Sequence, residues 1–478
     1  MRPIPAKLKI AVAVLGGLGT ALVLAALAIL LLVDVDSYKP RVEAMASSAV
    51  GMAVTVDGRL HIGFFPTLNI SLANVHVRNR GTDIAFVEEA RLAIPFDSLL
   101  RQELRYDSVE LNRVRISIER DRSGIYNYET SPVAHEPFGA LALPMVTLTD
   151  LVVVYTDRIS GSGFETGNCR AAINQVRHPG GAEFLARLSF SGQLDCAQVH
   201  GKDVRVSELK VTALAHDGVF EFKPITMRVF GGQGSGSLHM DRAGAVPALQ
   251  LSYALSRFRI EELFKGLSID KSVSGAMDFS TTLSMQGGNR VELRRSASGE
   301  MSLSGTNLTL AGVDLDRDLS KYVASQNFNL FDVGALLLAG PIGVGVTKGY
   351  EFAGLAQQTG GHTQIRNLVS MWKVEKGVAH ARDVALTTRD NRLAIHGALD
   401  LVNDEYDEVV VALIDSNGCA SVRQRIRGPF GKPVLDKPNV LVSIAGPLLN
   451  LLGNARDLIA GARGKCEVFY NGSVAPPK

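Results

Sequence analysis

Only one of the 478 residues is tryptophan, and aromatic side chains of all kinds make up 6 %. So few flat rings argue against a protein that stacks on bases, and no Lys/Arg run interleaved with aromatics is present. Lys and Arg number 50 against 48 Asp and Glu, a formal net charge of +2, too close to zero for a nucleic-acid footprint. Catalytic signatures are missing too: there is no G-x-S-x-G elbow, no G-x-x-x-x-G-K-[ST] loop and no H-E-x-x-H. S-x-x-K occurs at Ser207–Lys210 and Ser268–Lys271, with neither K-T-G nor S-D-N beside it, and reads as chance. Asp314, Asp316 and Asp318 begin like a calcium loop, but Leu319 stands where glycine is needed and Ser325 where the bidentate Glu belongs. Asp404, Glu405, Asp407 and Glu408 have no His or Cys nearby, and His61, His200 and His362 are scattered. The expectation is a protein with no catalytic residue, no metal and no cofactor, not an enzyme.

Charge is missing in a second sense. From Ile10 to Val33 no residue is charged, and at about 1.5 Å per residue this stretch can cross a hydrocarbon core about 30 Å thick. Cleavage after the A-x-A at Ala26–Ala28 would leave Ile29–Val33 dangling, so a retained anchor is expected rather than an export signal. Arg2, Lys7 and Lys9 precede it and Asp34 and Asp36 follow, which by the positive-inside bias leaves residues 1–9 in the cytoplasm and the bulk across the membrane. The four cysteines, Cys169, Cys196, Cys419 and Cys466, then face a disulfide-permissive compartment, and none has C-x-x-C spacing. Three pairings are possible. Chain proximity favours Cys169 with Cys196 and Cys419 with Cys466, with free buried thiols as the alternative.

A chain of this length exceeds one ordinary core, so two domains or one elongated assembly are expected. After the anchor, Pro40 suits a first helical turn, and Val42, Met45, Ala46 and Ala49 repeat at helical spacing before Gly51. The period then becomes two. Val54 and Val56 precede Asp57-Gly58, and Leu60 and Ile62 follow, which predicts a hairpin. Leu68, Ile70 and Leu72 alternate, and Val75 and Val77 continue in the opposite phase, so a turn or bulge is needed at Ala73-Asn74. Val109 and Leu111, then Val114, Ile116 and Ile118, extend the pattern.

Past a weakly patterned, Pro-containing stretch at Ser131–Pro144, strands are predicted over 146–155, 184–190, 204–214 and 220–229. One apolar and one polar face per strand predicts antiparallel sheet with one covered side. The glycine-rich "VFGGQGSGSLHM" suggests a soft boundary between 34–228 and 229–478. Helices are predicted at 259–267, 319–325, within 333–357, and after Gly446-Pro447, where Leu448, Leu451, Leu452, Ala455, Leu458 and Ile459 share one face.

The anchor followed by "DVDSYKPRVEAMASSAVGMAVTVDGRL", the "FFPTLNISLANVHVRN" strand pair and "SGIYNYE" resemble the amino-terminal part of AsmA-family proteins of Gram-negative bacteria. The closing "GCASVRQRIRGPFGKPVLDKPNVLVSIAGPLLNLLGNARDLIAGARGKCEVFYNGSV" resembles the carboxy-terminal signature of that family. The resemblance implies a single-pass inner-membrane protein with its bulk in the periplasm, linked to outer-membrane biogenesis. It also implies a mainly β fold: an elongated, curved antiparallel sheet forming a trough, with a few short helices. TamB-like and chorein-like relatives look like bridges whose trough carries phospholipid acyl chains. On that basis Leu68, Ile70, Leu72, Val114, Ile116 and Ile118 are candidate groove-lining residues, with ordinary core packing as the competing reading. Phospholipid and other envelope proteins are the expected partners, and nucleic acid is not. The alternative function is a periplasmic binding or chaperone protein whose strand edges pair with outer-membrane protein segments.

Overall fold

The computed structural model describes residues 36, 39–63, 68–94, 107–129, 140–180, 184–202, 204–266, 273–317, 319, 337, 360–436, 439–440 and 468–477. Ile10–Val33, Cys466 and the helix expected after Pro447 lie outside them, as do the helices expected at 319–325 and 333–357 apart from Leu319 and Leu337. Among the described residues no helix is long and apolar enough to cross a membrane.

The described residues form one 22-stranded sheet. Helix α1 (Lys39–Val50) leads into β1 (Ala53–Val56) and β2 (Leu60–Gly63), both of which lie against β3 (Leu68–Asn79). The sheet then grows in chain order through β4 (Thr82–Ile94), β5 (Ser108–Arg120), β6 (Leu141–Asp157), β7 (Ser162–His178), β8 (Ser189–Gly201), β9 (Arg205–His216), β10 (Val219–Val229), β11 (Gly232–Asp241) and β12 (Ala248–Arg259). It continues through β13 (Val273–Ser274), β14 (Ala276–Gln286), β15 (Ser298–Ala311), β16 (His362–Glu375), β17 (Val378–Thr387), β18 (Arg392–Asp400), β19 (Glu405–Ile414) and β20 (Ala420–Pro429). Two-residue β21 (Val434–Leu435) and β22 (Asn439–Val440) pair with β20. Helices α2 (Phe184–Arg187), α3 (Ile260–Gly266) and α4 (Arg290–Ser296) sit in connections. Across the glycine-rich segment the sheet runs on without interruption, because β10 and β11 form a hairpin there, with Val229 opposite Gly232.

The antiparallel expectation needs one correction: β5 and β6 are parallel, with Val109 opposite Val146 and Arg120 opposite Asp157. Parallel neighbours require a long crossover to return the chain to the same end, and residues 121–140 supply it. The start of this crossover folds back along β5, where the Asn127 side chain donates to the Ser117 carbonyl at 2.7 Å and accepts from the Glu119 N–H at 3.1 Å. The predicted strand at 184–190 is a helical turn, α2, before β8 begins at Ser189. Helix α4 has no counterpart in the sequence pattern. Asn289 caps it by accepting the Val291 and Glu292 N–H groups, but it buries no residue and so has no apolar stripe to reveal it.

A line of left-handed residues crosses the first half of the sheet. Asn74 (φ 54°), Arg113 (φ 52°), Asp150 (φ 50°), Asn168 (φ 53°) and Glu208 (φ 52°) all adopt left-handed backbone and drop out of ladders that otherwise keep register. Each spaces the inward residues around it by three instead of two: Leu72 to Val75, Leu111 to Val114, Leu148 to Leu151, Thr166 to Cys169, and Val206 to Leu209. Apolar side chains thus change phase together on neighbouring strands and stay on one face, without loss of register.

The two sheet edges are treated differently. Along β1 and β2, helix α1 and its approach replace the missing strand: Ser47 Oγ accepts the Val54 N–H at 2.9 Å, Glu43 Oε1 that of Val56 at 2.7 Å, and Asp36 Oδ1 that of Leu60 at 3.1 Å. Edge donors already bonded to side chains are poor templates for a foreign strand. At the other end, β17–β20 are buried on the inner face and over part of the outer one. Ala385, Ala394 and Ala412 stand opposite one another on the outer face, and Phe469, Tyr470 and Val474 pack on it. Tyr470 donates to Asp383 at 2.5 Å and stands 5.5 Å below the Arg392 guanidinium, which donates to the Val474 and Asp415 carbonyls. His396 stacks on Phe469 with ring centroids 4.2 Å apart. Burial, and then the nearby Arg423, hold its imidazole below the ordinary value of 6.5.

Two outcomes are expected. Ser47→Ala and Glu43→Ala should each lower unfolding stability by about 1 kcal/mol, measured in urea, because each leaves an edge N–H without its acceptor. A histidine held neutral by the fold contributes stability that is complete above its unfolded value and is lost as pH falls through the folded one. The urea midpoint should therefore drop as pH falls below about 6.5, the ordinary histidine value, and His396→Phe should flatten that drop.

Candidate functional site

The registers place one apolar residue opposite another across almost the whole sheet. Ile70 stands opposite Leu92, Leu92 opposite Val109, Val109 opposite Val146 and Val146 opposite Ile173. The row continues through Gly192, Ala213, Phe222, Leu238, Leu251 and Leu283. It ends through Gly299, Val374, Ala379, Leu399, Tyr406 and Gly428. No member carries a charge. Glycine is obligatory at 299, where φ is +150° and a Cβ would stand 1.9 Å from the Thr282 carbonyl oxygen. A second row runs beside it, from Leu72 through Ala90, Leu111, Leu148, Ala171, Leu194, Val211 and Ile225 to Gly236, Tyr253, Thr281, Met301 and Trp372. Its one aliphatic hydroxyl, on Thr281, donates to the Glu300 carbonyl.

The opposite face is polar and charged. Arg113 makes two hydrogen bonds to Glu88, Arg158 pairs with Glu119, and Arg78 pairs with Asp83. Hydrogen bonds from these arginines hold the Glu119 and Asp83 carboxyls below their ordinary values. Glu89 is lowered in the same way by Arg91 and is also bonded by Asn112. The ionised form of these three carboxyls is therefore favoured on the outer face, while the two inner rows carry no charge. At one rim of the inner face, Ile118 stands opposite Tyr155 and Tyr155 opposite Phe164, with the Tyr155 and Phe164 ring centroids 5.5 Å apart. Tyr126 and Tyr128 stack alongside at 5.1 Å. Burial raises the Tyr155 and Tyr128 hydroxyls.

The lining residues expected from the sequence take different places on this face. Leu72 and Val114 are 7 % and 3 % exposed, closed in by lateral neighbours that include Val54, Val56 and Leu60. Ile70, Ile116 and Ile118 are only half-buried, and Leu68 stands opposite Ile94 in the same ladder. Cys169 and Cys196 are directly opposed on β7 and β8 and form a disulfide in the floor of the face. Cys419 is disulfide-bonded as well; Cys466, its expected mate, lies outside the described residues.

Phe222, Leu238, Leu251 and Leu283 extend the lining well beyond those candidates. Their signal is present in the alternation of "VFEF", "SGSLHM" and "ALQLSYALSRF", but only the registers decide which face each run presents. Asp316 has a structural part, accepting from the Asn391 side chain at 2.7 Å and so pinning the turn between β17 and β18. Among the described residues no cluster of three or more His, Cys, Asp or Glu could hold a metal ion.

Exposure of the inner face changes along its length. From β3 to β14 most first-row residues are half-buried, whereas Val374, Ala379, Leu399 and Tyr406 are 0 to 4 % exposed. Residues that are not on the sheet cover that far section: Ile260 and Phe264 of α3, then Val313, Leu315, Leu319, Leu337 and Phe430. The second row is more closed, with Leu72, Ala90, Leu148, Ala171 and Thr281 at 6 to 9 % exposed; the half-buried first row can take up apolar ligand, whereas a sealed one is core.

Among curated proteins none matches this chain. The AsmA family model matches residues 4–136 and 190–384, more than half of the chain, while the carboxy-terminal stretch after Cys419 lies outside the match. That family suggests a function related to the cell envelope and the outer membrane. With a sheet of this kind and a match of this extent, the chain belongs to the AsmA family.

Proposed function

We propose that this protein is held in the inner membrane by Ile10–Val33, stands in the periplasm, and supports outer-membrane biogenesis by taking phospholipid acyl chains onto the inner face of its sheet. The observation that carries this reading is the uncharged row from Ile70 to Leu283, most of whose members, Val146 and Gly192 apart, are half-buried and not sealed. At about 4.8 Å per strand the open section is about 50 Å long.

An acyl chain leaving a bilayer costs about 0.8 kcal/mol per methylene exposed to water, so a continuous apolar surface removes most of the barrier without any catalytic group. Sliding along such a row breaks no hydrogen bond, because the row offers none. A charged outer face keeps the same sheet soluble and discourages it from burying its polar side. The alternative, pairing of outer-membrane protein strands with a sheet edge, has less support, since the donors of Val54, Val56 and Leu60 are already taken.

Full-length protein extracted in mild detergent should retain phospholipid detectable by native mass spectrometry. Ile70→Asp combined with Ile116→Asp should lower that occupancy at least about tenfold, since each carboxylate would have to be desolvated beneath a bound chain. Ser71→Asp, on the outer face beside Ile70, should leave occupancy unchanged. Equal occupancy in the inner-face double variant and the unsubstituted protein would exclude the groove as the lipid site.

A further inference from the structure

From the way the inner face is closed beyond β14, we infer that the acyl-chain site is blind: chains of a bound phospholipid occupy the section from β3 to β14 and do not pass on toward β20. The inference rests on the groove reading above and adds where the site ends.

Two independent features make the closed end a built part of the fold. The first is apolar. Phe264 of α3 and Leu315, Leu319 and Leu337 lie on the far rows and share one buried cluster with Trp372, Leu386 and Val411. Each is 3 % exposed or less, so a chain entering there would have to displace side chains that already fill the space.

The second is polar. The inner face carries two aliphatic hydroxyls on β16, and both engage the covering segment. Thr363 Oγ1 donates to the Val313 carbonyl at 2.7 Å and accepts the Leu315 N–H at 2.8 Å. Ser370 Oγ donates to the Leu337 carbonyl at 2.9 Å and accepts the Trp372 indole N–H at 2.8 Å. Thr363 and Ser370 are 2 % and 0 % exposed. Lifting the cover to admit a hydrocarbon chain would strand these donors and acceptors against a ligand that cannot satisfy them. By contrast, Thr281 on β14, though buried, donates to the backbone of the neighbouring strand and depends on no second segment. A through-conduit would carry no inward hydroxyl that depends on a second segment.

A blind site has a mechanistic consequence. Lipid must enter and leave across the open rims of β3–β14, and capacity is set by that length alone.

The single tryptophan makes the test direct, because Trp372 sits inside the closed section and is the only indole in the chain. Full-length protein in detergent is titrated with a phospholipid carrying brominated acyl chains, which quench indole emission at contact range, while native mass spectrometry verifies binding. Two further single-tryptophan proteins are made on a Trp372→Phe background, one with Phe222→Trp in the open section and one with Tyr406→Trp. Tyr406 lies five strands beyond β14, about 24 Å.

The expected result is loss of most emission for the Phe222→Trp protein, with no loss for the unsubstituted protein or the Tyr406→Trp protein. Quenching of Trp372, or of the Tyr406→Trp indole, to the extent seen at 222 overturns the blind end and leaves the groove standing. No quenching in any of the three despite bound lipid would refute the groove reading, and the inference with it. Should the Tyr406→Trp variant fail to fold, Trp372 reports the closed end by itself; should the Phe222→Trp variant fail, Leu238→Trp, opposite it in the same row, replaces it.

Discussion

Everything in this fold depends on cross-strand apolar contact kept to one side of a very wide sheet. A strand turns alternate side chains to opposite faces, so a slip of one residue would put a whole apolar set into water. Here that discipline holds from Ile70 to Gly428. It is held by direct opposition of Val, Leu, Ile, Phe and Gly residues and is relieved at intervals by left-handed backbone. Side-chain pairs of this kind contribute only fractions of a kcal/mol each, and the number of strands in series makes them decisive.

The left-handed residues reconcile two demands that would otherwise conflict. A flat sheet of this width would expose its whole apolar face, and a strongly twisted one would lose register. Setting Asn74, Arg113, Asp150, Asn168 and Glu208 in left-handed backbone lets the sheet curve while Leu72, Val114, Leu151, Cys169 and Leu209 still meet in one layer. The Cys169–Cys196 disulfide joins two strands at the floor of that curve, beside the line of left-handed residues, and fixes their register covalently.

Burial then divides the face into two regimes. Over β3–β14 most of the first row is half-buried while Leu72, Ala90, Leu148 and Ala171 of the second are buried, with cover from α1, whose Val42 and Ala46 pack on the first strands. Over β15–β20 the protein uses its own chain on both sides: α3, residues 313–317 and Leu319 inside, and Phe469–Val474 outside. The second regime resembles an ordinary layered core, and it gives the open half a rigid end against which to be built. A sealed core and a partly open apolar surface thus occupy different parts of one continuous sheet.

Much of this is readable in the residues themselves. Period-two patterning announces a mainly β chain, Pro40 with Val42 and Ala46 announces α1, and the phase change across Ala73-Asn74 announces the first left-handed residue, because all of these are local consequences of side-chain direction. Two helices escape such a reading: α2 is a single turn, too short for a period to show, and α4 buries no apolar stripe. The parallel pairing of β5 with β6 is also out of reach, because a crossover says where the chain returns only once its partner is known. Above all, alternation tells that a face is apolar but not what lies over it. Val374 and Leu399 carry the same sequence signature as Ile70 and Leu238, and only the tertiary structure decided which were sealed by protein and which were left open, because covering is a contact between residues far apart in the chain.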